Sequence, residues 1–267
     1  MIRDITIGQY YPAESPVHKL DPRVKLGGTM IFLISLFLPE SIYGYIFATI
    51  FLGAVIKATR VPLKFILKGL RAIFVILMLS VVFNIFLTDG KVLVSFWIFK
   101  ITQEGLILAA KMAVRLVYLI IGSSLMTLTT TPNDLTDGLE KALRPLKVIK
   151  VPVHEIAMMM SIALRFIPIL LEETDKIMKA QMARGADFES GSIIKRAKSM
   201  VPLLVPLFIS AFRRADDLAM AMEARCYHGG EGRTKMKPLK YQREDFTAYL
   251  ILFAYLAAMI AIKVFLG

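Results

Sequence analysis

Long apolar stretches, almost free of charge, recur along this chain and constrain its fold more than any other feature. They run from about Val24 to Leu38, Ile42 to Ile56, Ala72 to Leu87, Gly105 to Leu128 and Phe246 to Leu266. A helix needs about 20 apolar residues to cross roughly 30 Å of hydrocarbon. Within lipid only helices and closed barrels satisfy every backbone group. Composition agrees: 56% of residues are hydrophobic and 20% charged, with a mean hydropathy of +0.61. Soluble domains sit nearer half apolar and a quarter charged. The expected fold class is an all-α integral membrane protein with about five transmembrane helices. The first two stretches are short and separated only by Pro39, Glu40 and Ser41. They read as a tight hairpin of two short spans or a partly re-entrant unit.

Charge sets the orientation. The net charge is +12, from 33 Lys+Arg against 21 Asp+Glu. In a membrane protein such an excess reflects cytoplasmic loops. No basic run is interleaved with aromatics as in a nucleic-acid groove, so no nucleic-acid partner is expected. The connector from Lys57 to Arg71 carries Lys57, Arg60, Lys64, Lys68 and Arg71 and no acid. Its Val61, Leu63, Phe65, Ile66 and Leu67 make it amphipathic, as expected of a segment at the membrane surface. Trp97, beside Phe96 and Phe99, suits an aromatic belt. The positive-inside rule puts the N-terminal arm and the connector in the cytoplasm of a multi-pass cell-membrane protein. The single cysteine, Cys226, excludes an intrachain disulfide, and the scattered His18, His154 and His228 show no metal-ligand spacing. No metal and no cofactor are expected. The polar first 23 residues, with Pro12, Pro16 and Pro22, do not read as a signal peptide.

Residues 132–245 differ from the rest, with 19 Lys/Arg and 15 Asp/Glu. The division expected is 1–131 for N-terminal transmembrane helices, 132–245 for a cytoplasmic module and 246–267 for a C-terminal transmembrane helix. Apolar stretches at 156–171 and 200–212 continue into charged sequence, so the module reads as two long amphipathic helices near 152–184 and 193–227. The rival arrangement makes those stretches a transmembrane hairpin and places charge-rich 172–198 outside, against the positive-inside trend. Thr131-Pro132-Asn133-Asp134 reads as a capped helix start. Arg144-Pro145 and Val151-Pro152 bracket a break. Gly185 and Gly191 bracket a turn, and Gly229, Gly230 and Gly232 end the second long helix.

One local pattern occurs twice. Met182-Ala183-Arg184-Gly185 and Glu223-Ala224-Arg225-Cys226-Tyr227 each place Ala-Arg at a helix end. Helix chemistry alone gives one account, since a cation in the last turn complements the dipole and glycine caps it. The other account is docking. Helices joined by a short 185–192 segment fold back on each other, leaving Arg184 and Arg225 up to about 50 Å apart on one rigid unit. A guanidinium projecting from a helix end makes a planar, multidentate contact with an acidic groove.

These residues resemble those of a known family, the transmembrane component of energy-coupling factor transporters, importers of vitamins and metal ions in the ABC class. The likeness runs over nearly the whole chain. It includes the opening Ser15-Pro-Val-His18-Lys-Leu-Asp21-Pro22-Arg23-Val-Lys25 and the stretch from Thr130 to Glu140. It also includes Leu164-Arg165-Phe166-Ile167-Pro168 with Gln181-Met-Ala-Arg184-Gly185, and Phe212-Arg213-Arg214-Ala215-Asp216 with Met222-Glu-Ala-Arg225-Cys226-Tyr227. The resemblance implies a coupling scaffold whose two coupling helices each dock one of two ABC ATPase subunits, a heterodimer, through Ala183, Arg184 and Gly185 and through Ala224, Arg225 and Cys226. It also implies a separate substrate-binding membrane subunit, the S component, reoriented by movement of those helices.

The remaining motifs fit a non-catalytic subunit. No GxxxxGK[ST] phosphate loop is present. Glu172-Glu173 and Asp216-Asp217 are helix neighbours pointing about 100° apart, so neither pair converges on one site. Met158, Met159, Met160, Met220 and Met222 are core filling by default; the alternative is an adaptable face for the S component. Lys111 and Arg115, inside the fourth span, read as facing a protein-lined interior or snorkelling. The alternative function is a stand-alone secondary transporter, which calls for midplane polar residues and an internal repeat.

Overall fold

In a computed structural model, the structure describes residues 10–39, 41–96, 99–188, 190, 192–230, 236 and 238–266. Trp97, Gly191 and Gly232 lie outside the described residues. The helices are α1 (Pro16–Lys19), α2 (Pro22–Ser35), α3 (Ile42–Thr59), α4 (Leu63–Leu87), α5 (Gln103–Thr129), α6 (Pro132–Leu143), α7 (Val153–Ala183), α8 (Ile193–Glu223) and α9 (Arg243–Leu266). A short antiparallel ribbon, β1 (Val92–Phe96) with β2 (Phe99–Thr102), links α4 to α5.

The chain is an all-α membrane protein. Helices α3, α5, α7 and α9 are each long and apolar enough to cross a bilayer. Helix α4 adds a fifth if its two arms, bent by 61° about residue 72, form one span. Two points differ from the sequence reading. Helix α2 is only 14 residues long, about 21 Å, and is not among these spans. Helix α7 is among them, although its sequence reads as part of the cytoplasmic module. The basic connector is not one element: α3 runs to Thr59, Arg60 takes a left-handed φ of 55°, and the rest forms the first arm of α4. Val61 and Ile66 of this stretch are buried while Lys57, Lys64, Lys68 and Arg71 are exposed. Leu63, Phe65 and Leu67, expected on the same apolar face, are exposed as well.

The chain divides into two compact units. One comprises described residues 10–138 and 239–266, the other 139–230, 236 and 238. In the first unit the core gathers Phe32 and Leu36 from α2, Ala48 and Leu52 from α3, Leu125 and Leu128 from α5, and Tyr255 and Met259 from α9, with Val61 and Ile66. The Phe51 and Tyr255 rings stack at 4.0 Å, and the Tyr255 hydroxyl pairs with Ser35 Oγ at 2.9 Å. Glycines let helices approach where hydrophobic area cannot drive association in lipid. A β-carbon at Gly28 would stand 2.9 Å from Leu252, and one at Gly122 2.8 Å from Phe32. The outer surface stays apolar: Val75 of α4 is 75% exposed.

The opening motif is a clasp in this unit. Ser15 caps α1 by accepting from His18 N–H at 3.2 Å. His18 Nε2 donates to the Tyr11 carbonyl at 3.0 Å, which leaves Nδ1 to accept from the Ser15 hydroxyl at 2.6 Å. Lys25 Nζ donates to the carbonyls of His18 and Thr129 at 2.8 and 2.9 Å, tying the start of α2 to the end of α5. Asp21 N–H donates to Asp245 Oδ1 at 2.8 Å, tying it to the start of α9. Arg23 bonds Asp21 through Nε and Nη2 and lies 3.9 Å over the Tyr241 ring. Burial pushes the Asp21 carboxyl up, but the Arg23 bonds and charge outweigh it and hold the pKa below the usual range. Burial also pushes the His18 imidazole below its usual value, against the opposing bond to Tyr11.

Arg115 faces a protein-lined interior, as expected. Its Nη2 donates to the Tyr45 hydroxyl at 3.0 Å, and its guanidinium lies 5.1 Å from the Phe37 ring centre.

Candidate functional site

The second unit presents the two Ala-Arg segments. It begins with the end of α6 and a 3₁₀ turn at Arg144–Ile149, which fills most of the stretch between Pro145 and Pro152 expected as a break; only residues 150–152 are free of helix before α7. Upstream, the helix start at Thr131 is capped as its sequence predicts, with Asp134 N–H donating to Thr131 Oγ1 at 3.2 Å. His154 Nδ1 meets Glu140 Oε1 at 3.0 Å, fastening α7 to α6.

Helices α7 and α8 have 31 residues each, about 46 Å. They run antiparallel. Arg214 Nη2 donates to Glu173 at 3.3 Å, and Gln181 Nε2 donates to the Pro202 carbonyl at 3.3 Å. As position rises along α7, its partner falls along α8. Arg184 and Arg225 therefore lie at opposite ends of the pair.

The two ends are closed by the same hydrogen-bond pattern. At α7, Ala186 N–H donates to the Gln181 carbonyl at 3.0 Å and Gly185 N–H to the Met182 carbonyl at 2.9 Å. At α8, Tyr227 N–H donates to the Met222 carbonyl at 3.1 Å and Cys226 N–H to the Glu223 carbonyl at 2.8 Å. Each is a Schellman closure. In each, the residue after the arginine takes the left-handed conformation: Gly185 at φ 86° and Cys226 at φ 54°. The arginine holds the same C-cap position in both, and both arginines are exposed. Helix α8 ends at Glu223, before the glycines expected to end it, because Cys226 supplies the left-handed residue three positions earlier than Gly229. Cys226 is a free, exposed thiol.

The methionines divide. Met159 and Met220, each 60% exposed, and Met160 are surface residues. Met158 and Met222 are half-buried and line, with Ile162, Leu218 and Arg225, a recess of about 490 Å³ beside the α8 end. Glu172 is exposed while Glu173 pairs with Arg214, so the adjacent acids point apart as expected.

Residues 13–236 match the family model described as "Cobalt transport protein". The chain is 56% identical to the energy-coupling factor transporter transmembrane protein EcfT of Clostridium kluyveri, over 100% of both chains. It is 58% identical to the EcfT protein of Ruminiclostridium cellulolyticum over 92% of each. It is 49% identical to that of Bacillus subtilis over 97% of this chain and 98% of the relative. The chain belongs to the EcfT family.

Sequence reasoning missed the clasp partners of this EcfT-family protein. Asp245 is 1% exposed; one oxygen accepts from Gln242 N–H at 2.7 Å and the other from Asp21 N–H. The available signal was an acid just ahead of an apolar run, the signature of a helix start.

Proposed function

We propose that this chain is the non-catalytic transmembrane coupling scaffold of an ATP-driven importer. Residues 132–245 form its cytoplasmic coupling module. Arg184 and Arg225 each dock one ABC ATPase subunit, and the methionine-bearing faces hold a small substrate-binding membrane protein. The observation that supports this reading best is the duplicated helix end, with one closure, one C-cap arginine and two opposite poles of a rigid pair. Dipole complementation calls for some cation at each helix end; the same exposed Ala-Arg in the same closure at both poles is the part that docking adds a reason for. Two matching poles suit two related partner bodies.

The module assignment rests on charge. Helix α7 is long and apolar enough for a span, but the end of α7 and the start of α8 carry Lys176, Lys179, Arg184, Lys195, Arg196 and Lys198, which the positive-inside rule keeps in the cytoplasm. Movement of the ATPases on hydrolysis would shift α7 and α8 at both ends and so reorient the bound substrate-binding subunit. Co-expression with the full set of candidate subunits tests the proposal. The chain should retain two ATPase subunits and a small membrane protein through purification in mild detergent. Retention of neither, with the chain monodisperse and folded, would count against it.

A further inference from the structure

An apolar groove of about 450 Å³ lies in the first unit, among α1, α2, α3, α5 and α9. Small residues open it: Gly28 and Thr29 on α2, Ala54 and Ala58 on α3, Gly122 on α5 and Ala248 on α9. Its lining extends from Lys25 to Phe32 along α2 and from Glu244 to Leu252 along α9. These are the first turns of both helices, at the end of the bundle where α3 and α5 finish. Seven or eight residues at 1.5 Å make the groove about 12 Å deep. Its polar groups gather toward the outer end, from Lys25, Thr59, Thr129, Glu244 and Thr247, with Thr29 one turn further in. Ile251, Ala54 and Ala58 are exposed, so it opens sideways to whatever surrounds the bundle.

We propose that this groove holds one acyl chain of a membrane phospholipid. Three of its five walls, α3, α5 and α9, are helices fit to span a bilayer, so its sideways opening faces hydrocarbon. Its depth is close to one leaflet, roughly half of 30 Å. A partner's transmembrane helix would need a track along about 20 residues, more than twice what the groove offers. The volume falls in the range of single-ligand sites, about 300–1,000 Å³. The polar outer end leaves a headgroup beside Lys25 and Glu244 while the tail enters between Phe32 and Leu252.

Photocrosslinking tests this. The full-length protein, with the subunits that co-purify, is placed in vesicles of phosphatidylcholine bearing a diazirine on one acyl chain, then irradiated and mapped by peptide mass spectrometry. Adducts should concentrate on residues 24–32 and 247–252. The double variant Ala54→Phe/Ala248→Phe should lower those adducts several-fold while leaving adducts on the Val75–Ile76 face of α4 unchanged, which also reports that the variant is folded. Should the variant fail to fold, the wild-type map alone decides. Wild-type adducts absent from the groove, or unchanged on filling it, overturn the proposal. So do adducts present in the isolated chain and lost in the complex, since a protein subunit is then the occupant.

Discussion

At the scale of single residues, the two arginine caps are built alike from unequal materials. A non-glycine residue in the left-handed region costs about 1–2 kcal/mol, so Cys226 bears a strain that Gly185 does not. Cys226→Gly relieves it and gives back part through greater unfolded-state freedom. The expected outcome is a thermal stability unchanged or raised by up to about 1 kcal/mol. Gly185→Ala should lower stability by about 1 kcal/mol; thermal unfolding of the purified protein reads both. His18 supplies a pH signature. Its folded pKa lies below the ordinary value near 6.5, so between the two the unfolded chain binds more protons and stability falls as pH falls. The contribution is full above pH 6.5 and fades on acidification through the folded pKa. His18→Gln should flatten the fall in melting temperature between pH 7 and pH 5. The arginine pattern was legible in sequence because Ala-Arg recurs beside capping residues. The shared closure was not, since nothing local marks Cys226 as a residue that would adopt a glycine's conformation.

At the scale of elements, the apolar stretches at Ile42, Gly105 and Phe246 were legible as helices because nothing but a helix satisfies such sequence in lipid. The bend in α4 and the early end of α8 were not, because both depend on where one backbone turns. The clasp was half legible. Its N-terminal residues stand together in sequence, but Asp21 and Asp245 are separated by 224 positions and only packing brings them together. Asp245→Ala would leave the buried Asp21 N–H unpaired, at about 1–3 kcal/mol, and remove the acceptor of the part-buried Gln242 N–H. Melting in detergent should fall accordingly, by more than for Glu244→Ala at the neighbouring exposed position. The methionine faces carry a separate expectation. Glu replacements at Met159, Met160 and Met220 should release the substrate-binding subunit while the ATPases stay, because charge on that face removes adaptable apolar contact without touching either cap. Release of the ATPases alone would contradict the assignment.

At the scale of the whole molecule, topology and docking stand or fall together, since caps outside the cell cannot meet ATP-hydrolysing subunits. In a Cys226→Ser background, Ser41→Cys should react with a membrane-impermeant maleimide on intact cells, and Ser192→Cys only after permeabilisation. The most direct measurement of the central claim is retention of the ATPase subunits by Arg184→Ala, Arg225→Ala and the double variant. Truncating one partner of a desolvated charge pair costs about 2–5 kcal/mol, up to more than a thousandfold in affinity for one contact. The second contact keeps each single variant partly assembled through avidity. The account predicts weakened complexes and impaired uptake from either single change, partial rescue by Arg→Lys, which lacks the planar fork of donors, and loss of both ATPases from the double variant. If the arginines serve only their helices, each change costs some tenths to about 1 kcal/mol of local stability. A double variant that holds both ATPases at wild-type strength and still drives uptake would contradict the account.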